Sequence, residues 1–511
     1  MEVSLWESAN KLRGSVEPAE YKHVVLGLVF LKFASDKFAE RRQQLIDEGR
    51  PEKYLEMPEF YNMHNVFFLK KESRWEEIQD NAKQGNLALI IDTALHTIEK
   101  DNKALKGALP DNYFSRLGLD PTKLAALVDE ISNIDTLKDK KQDVVGKVYQ
   151  YFLSKFALAE GKGKGEFYTP ASIVNLIAEM IEPYEGIIYD PACGSGGMFV
   201  QSIKFIESHH GNKQKVAIYG QEYTNTTYKL AKMNLAIRGI GANLGEKAAD
   251  TFGQDQHPDL KADYIMANPP FNQKDWRGEK ELTDDARWLG YDVPPRSNAN
   301  YGWILNIAAK LSDNGVAGFI LANGALSGGG EEYKIRRKLI DNDLVEAIVI
   351  LPQDMFYTTN ISVTVWILNK NKRERTREVG DETRHYRDRT GEILFMDLRQ
   401  IGEPFEKKFI QFAPQHVTDI ATTYHNWQQT DKGYENVSEY CYAATAAEVA
   451  AKDFSLVPSK YIPFVNRDEY IDFEEQMAGL QTEFATLLQA EAQSKKDLLN
   501  VFKELGYAIE L

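Results

Sequence analysis

An asparagine followed by two prolines and an aromatic residue, Asn268-Pro269-Pro270-Phe271, is the stretch of this sequence best suited to chemistry. It follows the apolar run Tyr264–Ala267, which predicts a buried strand. Because prolines lack the N–H groups of a sheet ladder, the strand must end here and hold Asn268 on a stiff turn. Ligands of open α/β sheets bind at the carboxyl ends of strands. An amide, a rigid carbonyl and an aromatic ring in this order suit a planar base that carries an exocyclic amine.

A glycine-rich turn is the second candidate site. Asp190-Pro191-Ala192-Cys193-Gly194-Ser195-Gly196-Gly197 directly follows the predicted strand Ile187–Asp190, and such glycines let a ligand approach the backbone closely. The turn has neither the spacing of a dinucleotide-binding turn nor the Gly-Lys-Ser/Thr of a phosphate-binding loop, which disfavours phosphate binding. Glu222, at the end of the next predicted strand, is placed to accept hydrogen bonds from ribose hydroxyls. Together they predict a cofactor that contains a nucleoside.

Two more segments carry candidate ligand-binding residues. Asp250 stands close to Phe252, and this pair either binds and covers an adenine ring or forms a polar loop with one core phenylalanine. In Glu166-Phe167-Tyr168-Thr169-Pro170, the last two residues predict an N-cap and a first turn for the helix Ala171–Ile181. The start of a helix offers free N–H groups to a carboxylate.

The elements that must position these residues alternate between apolar strands and helices from about residue 165 to 370. This alternation predicts an α/β fold with a doubly wound, mostly parallel sheet. Residues 1 to about 155 have helical spacing instead, and the Gly/Lys stretch 161–165 predicts a flexible joint. The predicted strands are Ile187–Asp190, Val216–Gly220, Asp263–Ala267, Val316–Ala322, Val345–Leu351, Val363–Leu368 and Glu392–Leu398.

Composition limits the class of protein. The 511 residues carry 61 Lys and Arg against 76 Asp and Glu, a net charge of −15 that argues against a surface that grips nucleic acid throughout. Cys193 and Cys441 are the only cysteines, so neither a disulfide framework nor a cysteine zinc site is expected, and we predict no metal. No run of about 18 apolar residues is present, and the first residues lack the features of a signal peptide. We therefore expect a cytoplasmic protein without membrane contact.

Two polar or amphipathic segments leave alternatives open. Residues 370–391 are rich in arginine and predict either a solvated hairpin tip or an arm that contacts phosphates. Residues 466–506 predict a helix with apolar residues at 3-4 spacing, as in an interrupted coiled-coil seam. That helix either packs on its own domain or binds a partner. Its apolar positions are Met477, Leu480, Phe484, Leu487, Leu498, Val501 and Leu505.

The order of these motifs resembles the amino-group DNA methyltransferases that use S-adenosylmethionine. Within them, the chain resembles the methylation (M) subunit of type I restriction-modification systems. The resemblance extends to Leu5-Trp6 and Lys11-Leu12-Arg13-Gly14 near the start, and to Asp453-Phe454-Ser455-Leu456 and Ser459-Lys460-Tyr461-Ile462 near the end. It implies an N-terminal helical domain (1–155), an S-adenosylmethionine-dependent methyltransferase catalytic domain (156–450) and a C-terminal helical segment for partner docking (451–511).

The resemblance also implies roles for single residues. The Asn268 side-chain oxygen and the Pro269 carbonyl accept the two N–H bonds of the adenine amine, Phe271 stacks on the base, and Asn268, Pro269, Pro270 and Phe271 are the catalytic residues. Because attack on the methyl group is direct, Cys193 has no covalent role. The runs Trp303–Leu311 and Leu351–Thr358 fall where the family has further elements of the base pocket. The implied cofactor-binding residues are Glu166, Phe167, Tyr168, Thr169, Pro170, Ala171, Asp190, Ser195, Gly196, Gly197, Glu222 and Asp250.

The implied activity is methyl transfer to N6 of an adenine that is flipped out of double-stranded DNA. The implied partners are a specificity (S) subunit, a second M subunit and a restriction (R) subunit, and the S subunit's DNA contacts accommodate the acidic charge. Three alternatives remain: a stand-alone adenine methyltransferase, a protein glutamine methyltransferase and a scaffold with a degenerate site. The glutamine enzymes have tyrosine where Phe271 stands.

Overall fold

The computed structural model describes residues 18–134, 151, 169–356, 360–380, 382–406, 408–430, 432–465, 473–505 and 507. The chain forms two compact units, divided between Ile462 and Pro463. The first contains all the strands described below, and the second contains one long helix. The three-part division at residues 155 and 450 stays a prediction.

The first described segment is helical, as the apolar spacing predicts. Its longest helix, α1, buries Val24, Leu28 and Leu31 on the face that joins the core of this domain. Helix α7 begins at Pro121, and the Asp120 carboxylate accepts hydrogen bonds from two N–H groups of its first turn. The helices are α1 (Pro18–Asp47), α2 (Glu52–Leu55), α3 (Glu59–Asn62), α4 (Trp75–Asp80), α5 (Leu87–Asp101), α6 (Tyr113–Arg116) and α7 (Pro121–Ser132).

A nine-stranded sheet follows, in the order β13-β10-β6-β7-β5-β4-β1-β2-β3. Strands β7 and β13 run antiparallel to their neighbours and the other pairs are parallel, which confirms the predicted mostly parallel sheet. The strands are β1 (Gly186–Asp190), β2 (Val216–Gly220), β3 (Ala242–Asn243), β4 (Ala262–Ala267), β5 (Leu311–Ala322), β6 (Val345–Ile350), β7 (Val363–Asn369), β10 (Glu392–Asp397) and β13 (Cys441–Thr445).

Both faces of this sheet are covered, so the fold is doubly wound. On β4, Tyr264 and Met266 belong to one apolar core while Ile265 and Ala267 belong to the other, as the two-residue period of a strand requires. Helices α8, α9 and α13 contribute to the first core, and α11 and α12 to the second. The helices are α8 (Ala171–Ile181), α9 (Gly197–Ser208), α10 (Asn225–Ile237), α11 (Asn300–Lys310), α12 (Glu331–Asp341), α13 (Pro414–Gln428) and α14 (Ala446–Ala451).

Helix α10 joins the N-terminal helices to the sheet. Leu230, Met233 and Ile237 pack in the core of the N-terminal helices. Lys229 donates a hydrogen bond of 3.0 Å to the Leu109 carbonyl. The opposite face of α10 packs on the sheet, so the N-terminal domain supports a helix of the methyltransferase sheet directly.

The arginine-rich segment forms a hairpin of β8 (Arg375–Val379) and β9 (Glu382–Tyr386). The interpretation of a solvated hairpin tip is wrong for Arg384, which pairs with Glu182, and for Arg389, which is fully buried against Glu346 just beyond the hairpin. The Glu346 carboxylate also accepts hydrogen bonds from Asn369 and Tyr424. These arginines therefore hold the segment on the sheet domain. A second, shorter hairpin pairs β11 (Glu403–Phe405) with β12 (Phe409–Gln411).

The second unit contains helix α15 (Phe473–Glu504), which confirms a helix in the predicted tail. Its apolar seam is exposed: Met477 at 39% is the least accessible of the seven positions and Leu505 at 66% the most. Among the helices that the structure describes, none is both long enough and apolar enough to cross a bilayer.

Candidate active site

The two predicted turns leave the sheet side by side. Strand β1 pairs in parallel with β4, with Ile188 opposite Tyr264 and Tyr189 opposite Ile265. The glycine turn after β1 and the Asn268 turn after β4 therefore emerge at the same edge. Strand β1 lies between β2 and β4, so this edge contains the switch point where α/β sheets bind ligands.

The glycine turn is shaped by backbone angles that favour glycine. Gly194 has φ +53° and Gly196, at the N-cap of α9, has φ +80°. The Gly196 N–H donates to the Cys193 carbonyl over 2.8 Å, and Asn234 of α10 donates to the Ser195 carbonyl over 2.7 Å. A Cβ atom added at Gly194 or Gly197 would meet no atom of the described residues within 4 Å. These hydrogen bonds therefore fix the backbone of the turn, while the described residues leave space beside these two glycines.

Glu222 connects the end of β2 to this turn. One carboxylate oxygen accepts the Gly194 N–H at 3.1 Å and the other accepts the Thr224 N–H at 2.7 Å. Glu222 therefore shapes the glycine turn from the end of β2, at the position where the sequence predicted a ribose contact.

Gln221 is a supporting residue that sequence reasoning missed. Its buried amide donates to the carbonyls of Ala249 (3.1 Å) and Gln254 (2.8 Å), and it accepts the Gln256 N–H at 3.0 Å. These bonds tie β2 to the loop that contains Asp250. In the sequence, Gln221 is a polar residue directly after the largely apolar strand β2. This position alone does not show whether the residue supports the fold or binds a ligand.

Asp190 is 1% exposed, and its carboxylate accepts the Ala192 N–H at 2.9 Å. Burial, together with the negative charge of Glu222, raises the pKa of Asp190 to about 8. A cationic group of a ligand near this carboxylate would favour its ionised form. Burial also raises the pKa of the Cys193 thiol well above its usual value, so this cysteine stays neutral and is a poor nucleophile.

The Asp250 loop is attached to the glycine turn. The Asp250 carboxylate accepts the N–H groups of Phe252 (3.3 Å) and Gly253 (3.0 Å), while the Thr251 hydroxyl donates to the Pro191 carbonyl. Phe252 is 2% exposed, with ring centroids 4.4 Å from Trp276 and 4.3 Å from Trp303. Of the two sequence interpretations, the core phenylalanine describes this ring.

Asn268 has one end of its amide bound and the other without a partner. Its Nδ2 donates to the Thr169 hydroxyl over 2.9 Å. Its Oδ1 is buried, and no group in the described part of the chain donates a hydrogen bond to it. The expected N-cap at Thr169 is wrong: helix α8 begins at Ala171, and its N-cap is Pro170, without a side-chain bond. The Thr169 hydroxyl faces the Asn268 amide instead.

Phe271 is half-buried beside Asn268. Its ring centroid lies 6.5 Å from that of Phe356, edge-on, and Phe356 belongs to the run expected near the base pocket. The following residue, Asn272, has φ +53° and is held by Asn300, the first residue of α11, through two hydrogen bonds of 2.9 Å. Sequence reasoning missed Asn300, which lies just before the other expected run, Trp303–Leu311. The prolines and this asparagine pair fix the path of the turn.

The structure therefore brings together two groups of the predicted residues at one sheet edge. The cofactor group contains Asp190, the glycine turn, Glu222 and Asp250, and the base group contains Asn268–Phe271 and Thr169. Glu166, Phe167 and Tyr168 lie outside the described residues, whereas Thr169, Pro170 and Ala171 lie within them.

Comparison with known proteins gives consistent matches along the chain. Residues 140–469 match the family model of the N-6 DNA methylases, and residues 1–131 match that of the HsdM N-terminal domain. The type I restriction enzyme HindI methylase subunit of Haemophilus influenzae is 41% identical over 453 residues, covering 83% of this chain and 98% of that protein. The MjaIX methylase subunit of Methanocaldococcus jannaschii is 34% identical over 526 residues, covering 99% and 91%.

A solved structure has the same fold. The type I restriction-modification methyltransferase subunit of Streptococcus thermophilus superposes with a TM-score of 0.74 at 23% identity, covering 90% of this chain and 98% of that one. The similarity includes the N-terminal helices as well as the sheet, since nearly all of both chains is aligned.

Proposed function

The chain belongs to the N-6 DNA methylases and, among them, to the methylase subunits of type I restriction enzymes, and from this premise we propose how its two groups of residues divide the reaction. The protein is an adenine-specific DNA methyltransferase, the modification subunit of a type I restriction-modification system. We propose that the glycine turn, Glu222 and Asp250 hold the methyl donor, and that Asn268–Phe271 hold the adenine.

The residues present fit S-adenosylmethionine, whose sulfonium supplies an activated methyl group when bound. The open space beside Gly194 and Gly197 admits a ligand next to the backbone. Glu222 offers acceptors for ribose hydroxyls, and the buried Asp190 offers a carboxylate to a cationic group. Asp250 lies in the adjoining loop and is assigned to the adenine ring of S-adenosylmethionine. Glu166–Tyr168, Pro170 and Ala171 are assigned to the methionine end of S-adenosylmethionine, whereas Thr169 is assigned to the base group, where it contacts Asn268.

The observation that carries the proposal is the buried Oδ1 of Asn268, to which no group among the described residues donates a hydrogen bond. A buried acceptor without a hydrogen bond costs about 1–3 kcal/mol, a cost that a donor from the substrate removes. The two N–H groups of adenine N6 are such donors, one for Asn268 and one for the Pro269 carbonyl. Holding both N–H groups favours a pyramidal nitrogen, and its lone pair is then free to attack the methyl carbon.

Phe271 and Cys193 are the other two side chains whose roles we assign. Phe271 stacks on the flipped base, and base–aromatic stacking is worth about 1–3 kcal/mol per base. Cys193 is buried and its raised pKa keeps it protonated, so it is a poor candidate for a covalent nucleophile. Direct transfer would form the N6–methyl bond as the sulfur–methyl bond breaks, with release of S-adenosylhomocysteine and loss of the amine proton to solvent.

The exposed seam of α15 supports the proposed docking of a partner. Six apolar side chains, each at least 39% exposed, follow one face of a helix of 32 residues, and Leu505 continues the spacing just beyond its end. Apolar stripes of this kind mark partner surfaces. We propose that they pack against helices of the specificity subunit, in an assembly with a second M subunit and a restriction subunit on double-stranded DNA. If the specificity subunit makes most of the contacts that read the DNA sequence, a net charge of −15 on this subunit is compatible with DNA binding. Because its proposed substrate is DNA, we place the enzyme in the cytoplasm.

A paired substitution tests the docking role of α15. Leu487→Asp places a charge in the seam, and we expect pull-down by a tagged specificity subunit to fall at least about tenfold, since a desolvated charge disrupts an apolar interface. Thr486→Asp, one position away and outside the seam, is the matched control. Because Leu487 is already 60% exposed, folding and S-adenosylmethionine binding stay unchanged. Undiminished capture of the Leu487 variant contradicts this docking surface.

The experiment for the activity is co-expression with a candidate specificity subunit, followed by mapping of methylated adenines in the host DNA. We expect N6-methyladenine at one recurring sequence, and its loss when either subunit is omitted. Methylation by the single chain would instead establish a stand-alone enzyme. Labelled methyl groups in protein rather than DNA would establish glutamine methylation.

A further inference from the structure

The hydrogen bond between Thr169 and Asn268 joins two segments that are 99 residues apart in the chain. We propose that Thr169 is a positioning residue for the reaction: its hydroxyl holds the Asn268 amide in the orientation that presents Oδ1 to the adenine amine. This inference rests on the proposed function of Asn268. It changes the expectation for Thr169 from a helix cap to a support of the base group.

The orientation of this amide decides whether the base can be gripped. An asparagine side chain has an acceptor oxygen at one end and an NH2 donor at the other. Turned by half a rotation, Asn268 would direct its NH2 group at the NH2 group of adenine, and two donors cannot hydrogen-bond each other. With Nδ2 held at 2.9 Å from the Thr169 oxygen, the Asn268 Oδ1 is the end left for the substrate.

The Thr169 hydroxyl is available for this task because it does not cap α8. Threonine at a helix start usually accepts a hydrogen bond from the N–H groups of the first turn. Here Pro170 holds the N-cap position and makes no side-chain bond. The hydroxyl oxygen therefore accepts the hydrogen bond from Asn268 Nδ2 instead of one from the helix backbone.

Thr169 is also held on a rigid support. It lies two residues before α8, whose Ile173, Leu176 and Ile177 are fully buried in the core of the sheet. Asn268 directly follows β4, in the centre of that sheet. Groups fixed on packed elements keep their geometry better than groups on loops, as a productive site requires.

Two substitutions in the complex with the specificity subunit test the role. Thr169→Val keeps the shape and removes the hydroxyl, and we expect kcat for methyl transfer to fall about 10- to 100-fold, because small misplacements of a catalytic group cost this much. The Kd for S-adenosylmethionine and the Tm stay at the wild-type values. Thr169→Ser keeps the hydroxyl and restores most of the activity. An unchanged kcat in Thr169→Val, or a loss confined to cofactor affinity, overturns the proposal.

A double-mutant cycle separates positioning from a general loss of structure. Asn268→Ala removes the NH2 group that donates to Thr169 and leaves no oxygen to which the Thr169 hydroxyl could donate instead. In that background Thr169→Val should add less than about a twofold loss, because coupled residues are not additive. The cycle is read in single-turnover transfer of a labelled methyl group, which stays measurable in slow variants. Independent, additive losses contradict the coupling.

Failure of the proposed function has a different signature. If the wild-type complex methylates no adenine, the activity assignment is wrong, whatever the variants do. If the wild-type complex is active and Thr169→Val equals it, only the positioning role is wrong.

Discussion

The two halves of the site differ in how completely they are built. On the cofactor side, the Gly194 N–H, the Ser195 carbonyl and the Asp190 carboxylate each have a partner from the chain itself. On the base side, the Asn268 oxygen is buried without a partner in the described part of the chain. Under the proposed assignment, the methyl donor enters a turn already held in shape, whereas the adenine supplies the hydrogen bond that Asn268 lacks among the described residues.

The largest effect is expected at Asn268. Asn268→Ala removes the acceptor for the adenine amine, so we expect kcat to fall about 10²- to 10³-fold, comparable to the loss of one donor in an oxyanion hole. The Kd for S-adenosylmethionine, measured by calorimetry, should stay within about twofold. If Asn268→Ala also weakened S-adenosylmethionine binding by a similar factor, the division of the site into a cofactor half and a base half would be contradicted.

Glu222 tests the other half. Glu222→Ala leaves the Gly194 N–H without its acceptor and removes the proposed ribose contact, so we expect the Kd for S-adenosylmethionine to rise about 10- to 100-fold. Glu222→Gln, which keeps an acceptor oxygen, should lose less. At saturating cofactor, both variants should regain most of the wild-type kcat. A kcat defect that saturation does not relieve would assign Glu222 to the chemical step instead.

Phe271 should show a smaller effect on the base side. Phe271→Leu keeps an apolar side chain but loses the flat ring, and we expect kcat/KM for DNA to fall about tenfold, within the range for lost base stacking. Phe271→Tyr keeps the ring and is the matched control. Steady-state assays with varied DNA and saturating cofactor measure both. Equal activity of the leucine variant would show that the ring is not a stacking surface.

The last prediction concerns Asp190 and the pH dependence of stability rather than of activity. Burial raises the pKa of Asp190 in the folded protein to about 8 from its ordinary 3.8, so the fold favours the protonated acid. This contribution to stability is fully present below pH 3.8 and is lost as the pH rises through 8. We expect Asp190→Asn to flatten the decline of Tm toward alkaline pH, and bound S-adenosylmethionine to reduce that decline in the wild type. Thermal melts with and without cofactor measure both slopes, and identical slopes in wild type and variant would contradict the assignment.

The strand pattern was readable because buried parallel strands are near-continuous apolar runs between turns. Six of the seven predicted strands both begin and end within one residue of their observed limits. Strand β5 begins at Leu311, five residues before the predicted start at Val316. The prediction missed this part of the strand because residues 312–315 are polar or glycine and give no apolar signal. Arg389 was misjudged for the opposite reason: its partner Glu346 is 43 residues away, and a charged residue gives no local sign of burial.

The site was readable where local chemistry dictates position. Proline and glycine fix backbone angles by themselves, so the turns at Asn268 and Gly194–Gly197 could be located from the sequence. The supporting contacts of Gln221, Asn300 and Thr169 could not, because each depends on which distant segment folds beside it. Thr169 is the clearest instance, since its local context indicates a helix cap and its tertiary contact is Asn268.

The most direct test is a structure of the complex with target DNA and a non-reactive analogue of S-adenosylmethionine. The measurement is the distance from Asn268 Oδ1 to N6 of the extrahelical adenine. We predict a hydrogen bond of about 3 Å, with Asn268 Nδ2 still bound to Thr169 and the analogue on the glycine turn. An adenine beyond hydrogen-bonding reach of Asn268, or an analogue held away from Gly194–Gly197 and Glu222, would contradict the division of the site into a cofactor half and a base half.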